Sequence, residues 1–250
     1  MKLDGPPRRI ALATDFGDGP YTGQMQLTLS TLAEGAIIVS LVSNLVPFRP
    51  DLAGFFLPGL MRRMPSPTLY LCVVDPGVGG AREVLAARVG DDWLLGPDNG
   101  LLVPSIRRDP EARIYRVRWR PEMLSDSFHG RDLFAPIAAA MAAGDLPDAS
   151  PVDLAELRGV EWPRVLSKVC YVDVYGNLIS GLWADAIPRH TRFGVGGFEL
   201  GFARTFCEVP PGTPFWYRNA FGLLEIAANQ ARADRLLGLV PGDSLPLLQP

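Results

Sequence analysis

Asp75, Arg82 and His129 bring together a carboxylate, a guanidinium and an imidazole, the side-chain types used to hold and deprotonate a reacting group. Asp75 and Arg82 lie in VVDPGVGGAR and His129 in SFHGRD, runs of small and turn-forming residues rather than charged helical faces. Each side chain can therefore be held by its own backbone, and Gly130 beside His129 permits close approach to a ligand. A lone histidine is more often structural than catalytic. The chain has only His129 and His190, however, and a position at a helix start weights His129 toward function. The same scarcity excludes a zinc site with two or three histidines and any HExxH helix. Asp15, in TDFG, either offers its two oxygens to the adjacent hydroxyls of a ribose or merely caps a turn. Asp173 and Asn177 in DVYGN, with Asn219 in RNAFG, read either as ligand contacts or as hairpin chemistry, because Gly-Asn suits a tight turn.

The surrounding pattern predicts how these residues are carried. RRIALAT (8–14), AIIVSLV (36–42) and TLYLCVV (68–74) read as buried strands, and the segments 21–34 and 51–64 between them have helical spacing, giving β-α-β-α-β. EVLAARV (83–89), DWLLG (92–96) and RIYRVRW (113–119) add strands, and RDLFAPIAAAMAAG (131–144) adds an Ala-rich helix. In a parallel α/β sheet, Asp15 and Asp75 then leave the carboxyl edge, where ligands bind. Residues 1–150 form an N-terminal α/β/α domain of Rossmann-like type, and 151–166, rich in Pro and acidic residues, form a linker. Over 167–250, short strands with Gly-rich turns predict a small β-barrel.

Two motif lookalikes fail. Asp15-Phe16-Gly17 and His129-Gly130-Arg131-Asp132 mimic kinase signatures in the wrong order, and Gly77-Val78-Gly79-Gly80 has Arg82 where a dinucleotide fingerprint needs its third glycine. A net charge of -3 offers no basic field for nucleic acid. The three cysteines, Cys72, Cys170 and Cys207, are far apart with no C-x-x-C, which suits a reducing cytoplasm. The N-terminus, with its early charge and prolines, does not read as a signal peptide. The apolar run from Leu52 to Met61 stops at Arg62-Arg63, too short to cross a bilayer, so a soluble protein is expected.

In order along nearly the whole chain, TDFG…YTG, VVDPGVGGAR, GPDNGLL, SFHGRDLFAPIAA, DVYGNLIS and RNAFGLLEIA resemble the S-adenosyl-L-methionine (SAM) hydroxide adenosyltransferases, relatives of the fluorinases and chlorinases. The resemblance implies an N-terminal α/β domain and a C-terminal barrel. It also implies cleavage of SAM by water to adenosine and L-methionine with no cofactor, and a catalytic triad of Asp75, Arg82 and His129. Halide-using relatives carry other residues at the positions of Asp75 and His129. A halide-dependent adenosyl synthase is thus one alternative, and a nucleoside-binding protein without turnover is another.

By the same resemblance, Asp15 binds the ribose, Phe48 packs against it, and Phe128 lines the pocket. Asp173 and Asn177 contact the methionine amino group and the adenine, and Phe206 packs on the adenine. Asn219 belongs to a motif gripping the methionine end. Two departures touch that end: Ala220 replaces a common serine, and the loop Asp18-Gly19-Pro20-Tyr21 lacks a second acidic position. The family's assembly implies a homotrimer with sites shared between neighbouring chains, while the cysteine usage, net charge and short apolar runs above lead to the expectation of a cytoplasmic protein with neither nucleic acid nor membrane as partner.

Overall fold

A computed structural model describes residues 1–245 and the backbone of Leu247 and Leu248; the remaining residues of the expected barrel segment 167–250 lie outside the described part. The chain divides into two compact units, residues 1–54 with 64–162, and residues 55–63 with 163–250.

In the first unit, strand β1 (Arg9–Thr14) leads into helix α1 (Pro20–Leu32), then β2 (Ile37–Val42), the start of helix α2 (Pro50–Met61), which belongs to the second unit from Phe55 on, then β3 (Leu69–Val73), and the antiparallel pair β4 (Val84–Val89) and β5 (Asp92–Pro97). A short helix α3 (Val103–Ile106), β6 (Arg113–Val117), helix α4 (Ala135–Ala142) and β7 (Ala149–Pro151) follow. The seven strands lie in the order β2-β1-β3-β5-β4-β6-β7. The first four in that order are parallel, whereas β4, β6 and β7 pair antiparallel.

Burial on both faces explains the continuous apolar strands. Ile10, Leu12, Leu69, Leu71 and Val73 meet Met25 and Leu29 of α1 and Ile137, Ala138 and Met141 of α4, while Tyr70, Cys72 and Val74, which face the other way, are equally buried. Strand β2 corrects the expectation of three buried strands. Among the described residues it is the sheet's edge strand, and its Ile37 and Val39 are 58% and 47% exposed. The stretch after β7 is tied into this unit: Arg107 donates to the Trp162 carbonyl at 2.7 Å, and the Arg158 N–H donates to Asp98 at 3.0 Å.

The second unit holds β8 (Leu166–Val172), β9 (Leu178–Trp183), β10 (Arg192–Val195), β11 (Phe198–Leu200), β12 (Pro214–Arg218), β13 (Leu223–Ala228), a helical turn α5 (Ala233–Leu237) and β14 (Leu247–Leu248). They form a four-stranded sheet β12-β13-β9-β8 and a three-stranded sheet β11-β10-β14. Single bridges, Lys168 with Ser244 and Phe202 with Trp216, join the two sheets at both sides and close them into a small barrel around Phe193, Trp216 and Ile226. Among the described residues, no helix is long and apolar enough to cross a membrane.

Candidate active site

Strands β1 and β3 run side by side with Thr14 opposite Val73, so the chain leaves both at the same edge and delivers Asp15 and Asp75 there. The loop after β3 returns into β4 through Arg82, whose Nε and Nη2 both donate to Asp75 Oδ2, at 2.8 and 2.6 Å. The two side chains are 5% and 4% exposed. Such a pair is short and strong once water is excluded, and costly to half-dismantle. With both donors spent on Oδ2, the buried Oδ1 of Asp75 has no hydrogen-bond partner among the described residues. The Arg82 guanidinium also lies over the ring of Phe134, 5.6 Å from its centroid.

His129 precedes a π-helical turn, Gly130–Phe134, that runs into α4. Such turns are rare and recur at functional sites. This one carries both His129 and the Phe134 ring beneath Arg82. Two glycines allow the assembly. Gly79, at φ 78°, lets the Asp75–Arg82 loop pass so close to the Asp126 carbonyl that a Cβ would sit 2.5 Å from it. At Gly130 the approach is to protein rather than to a ligand, since a Cβ would lie 3.0 Å from both Met25 and Phe16. His129 is buried, and its Nδ1 has no partner among the described residues. Burial, reinforced by the positive charge of Arg82, lowers its pKa below the ordinary imidazole value and keeps the ring neutral.

Asp15 accepts the backbone N–H of Phe48 at 3.2 Å. Burial raises its pKa; the Phe48 hydrogen bond opposes this, and the nearby charge of Asp75 adds to it. Phe48 occupies the left-handed region at φ 62° with its ring 73% exposed. A non-glycine residue there stores about 1–3 kcal/mol of strain, which its neighbours must sustain. Phe128 packs edge-on to Phe16 and Tyr21, with ring centroids 5.9 and 5.1 Å away. Asp18 accepts the Ser43 hydroxyl at 2.5 Å.

The remaining candidates form a second group within the barrel unit. Asp173 Oδ1 accepts the N–H groups of Tyr175 and Asn177, both at 2.9 Å, and Oδ2 accepts the Asn177 amide at 3.0 Å. Asn219 Oδ1 accepts the N–H groups of Phe221 and Leu223, at 3.0 and 2.9 Å, and its amide donates to Glu225 at 2.9 Å. Both motifs thus build their own turns. Phe206 packs edge-on to Tyr217, whose hydroxyl donates to Glu225 at 2.5 Å. Burial raises the pKa of both Glu225 and Tyr217. Sequence reading missed this carboxylate; its signal is one acidic residue inside the fully buried strand LLEIAA.

Asp15, Asp75, Arg82, Phe128 and His129 therefore gather at one edge of the first unit, whereas Asp173, Asn177, Phe206 and Asn219 belong to the second. Among the described residues, no group of His, Cys, Asp and Glu could hold a metal ion.

Residues 10–150 match the model of the SAM hydroxide adenosyltransferase N-terminal domain, and residues 167–246 that of the C-terminal domain. An (R)-S-adenosyl-L-methionine hydrolase from Thermus thermophilus is 34% identical over 257 residues, spanning 96% of this chain and all of the relative. A protein of the same name from Salinispora arenicola is 34% identical, covering 94% of this chain and 96% of its own. The crystal structure of an uncharacterized conserved protein from Thermotoga maritima superposes with a TM-score of 0.85 at 26% identity, over 96% of this chain and all of that one.

Arg82→Ala leaves the Asp75 carboxylate buried without its cation, so urea unfolding should show a loss of about 3–5 kcal/mol; a loss under about 1 kcal/mol would mean that water already solvates the pair. The His129 imidazole should titrate below about 6.5 in an NMR pH series, with His190→Gln assigning the signal. Arg82→Ala removes one of the causes of the lowered value and should move the midpoint upward. A midpoint at or above the ordinary value in the wild type would contradict the burial argument.

Proposed function

We propose that this chain, which belongs to the SAM hydroxide adenosyltransferase family, hydrolyses S-adenosyl-L-methionine to adenosine and L-methionine. Water attacks the ribose C5′, the C5′–S bond breaks with its electron pair going to sulfur, and one proton is released. The sulfonium is already a good leaving group, so no acid is needed. The scarce component is a competent nucleophile, and water must be held in line with the breaking bond and relieved of a proton.

The observation that carries this reading is the pair of buried polar atoms without partners among the described residues, Asp75 Oδ1 and His129 Nδ1. Because Arg82 occupies Oδ2, only Oδ1 is free to accept a hydrogen bond from the attacking water. His129, neutral through burial, takes the proton. Asp15 holds the ribose hydroxyls, the Phe48 ring covers the sugar and Phe128 lines the pocket. Asp173 and Asn177 contact the methionine amino group and the adenine, and Phe206 packs on the adenine. Asn219 serves the methionine end with what its turn leaves over. Its oxygen already accepts two backbone N–H groups, so only one amide hydrogen remains for a ligand. No cofactor takes part, and the protein works in the cytoplasm as a homotrimer with sites shared between neighbouring chains. The assembly rests on the resemblance and on the division of the ligand-binding motifs between two units.

Incubating the purified protein with SAM should yield adenosine and methionine in equal amounts, unchanged by EDTA. Asp75→Ala and His129→Ala should each cut turnover by about 10²–10⁴-fold with adenosine affinity nearly intact, and Asp15→Ala should chiefly weaken adenosine binding in calorimetry. Near wild-type turnover in either of the first two would remove that residue from the mechanism. For assembly, light scattering should return the mass of three chains, and co-expressing His129→Ala with Asp173→Ala should restore part of the activity. A fully active single chain would refute the trimer.

A further inference from the structure

We infer that Asn99, in the GPDNGLL segment, is a positioning residue for Asp75. The inference rests on the hydrolase reading for its rate measurements but on geometry for its substance. Strand β3 is paired with β1 up to Thr14 and Val73, but its pairing with β5 stops earlier, at Leu71 with Leu95. On the β5 side, no backbone pairing among the described residues holds the peptide group between Val74 and Asp75. Asn99 supplies the missing rung: its side-chain amide donates to the Val74 carbonyl at 2.8 Å. That carbonyl belongs to the peptide unit immediately before the Asp75 Cα, so its orientation sets the direction in which the carboxylate leaves the strand.

Three further contacts make Asn99 a fixed anchor. Its Oδ1 accepts the Leu101 N–H at 3.2 Å, which fixes the face its amide presents. Beside it, the Asp98 N–H donates to the Glu83 carbonyl at 3.0 Å, one residue from Arg82. The Asp98 carboxylate is held in turn by the Arg158 N–H. Gly96 lets β5 come in close, since a Cβ there would lie 2.4 Å from the Cys72 carbonyl oxygen. The Asp98-Asn99 turn therefore grips the backbone one residue from each member of the Asp75–Arg82 pair. A bare carboxylate oxygen aimed at a water tolerates little displacement: errors of about 1 Å can cost about 10²-fold in rate.

The test uses the full-length protein with Asn99→Ala, which deletes the rung, and Asn99→Asp, which keeps the acceptor for Leu101 and survives if the alanine variant fails to fold. Each should lower kcat for adenosine formation by about 10-fold or more, while KM for SAM and the Kd for adenosine change by less than about 2-fold, a split that general loosening would not give. In an Asp75→Asn background the same changes should cost less than about 2-fold, because the residue through which Asn99 acts is already disabled. Wild-type kcat in both variants, or losses that multiply fully with that of Asp75→Asn, would overturn the inference. If the wild-type protein forms no adenosine at all, the hydrolase reading falls and crystal structures decide this one separately. A shift of the Asp75 carboxylate beyond about 0.5 Å in Asn99→Ala supports it, and an unmoved carboxylate refutes it.

Discussion

Arg82 places two donors on a single oxygen of Asp75 inside a buried corner, and the other oxygen is left bare by that choice. A buried ion pair ordinarily spreads its hydrogen bonds to recover the cost of desolvation. Here the unevenness leaves one buried carboxylate oxygen bare, the kind of acceptor that the proposed attack by water calls for. The pair also sets the surrounding charges. Arg82 helps to keep His129 neutral, and the charge of Asp75 adds to the upward push on Asp15. The shifts of His129 and Asp15 thus both owe something to the charges of this pair.

Secondary structure makes that contact possible. Two parallel strands ending in register bring two aspartates to one edge, and the antiparallel strand β4 turns the chain back so that Arg82 meets Asp75 from the loop. The π-helical turn adds His129 on one end and the Phe134 ring under Arg82 on the other. The barrel unit is built differently. Asp173 and Asn219 spend most of their hydrogen-bonding capacity on their own turns, and a buried carboxylate, Glu225, ties Asn219 to Tyr217. Those residues thus make a rigid, self-bonded surface.

Much of this was legible in the sequence, because the strands of the α/β unit are long apolar runs closed by Gly and polar residues, and period and punctuation agree there. The exposure of β2 was not legible. A run such as IIVSLV looks the same at the centre and at the edge of a sheet, since strand order is set by pairing between distant segments. Asp75, Arg82 and His129 stood out because each lies in a stretch of small residues, and the structure brings them to one sheet edge. Glu225 was hidden in an apolar strand, and Asn99 in a motif whose turn chemistry masks the bond to Val74. Asn99 bonds a residue 25 positions away, which no local pattern records, and Glu225 meets Tyr217 and Asn219 only once β12 and β13 are paired.

The central claim is that a water molecule, held by Asp75 and deprotonated by His129, attacks C5′. Turnover of SAM in ¹⁸O-enriched water with mass analysis of both products tests it most directly. The label should appear in the 5′-hydroxyl oxygen of adenosine, one atom per molecule formed, with methionine unlabelled. Unlabelled adenosine, label in the amino-acid product, or a 5′-substituted nucleoside that forms only when halide is added would contradict it.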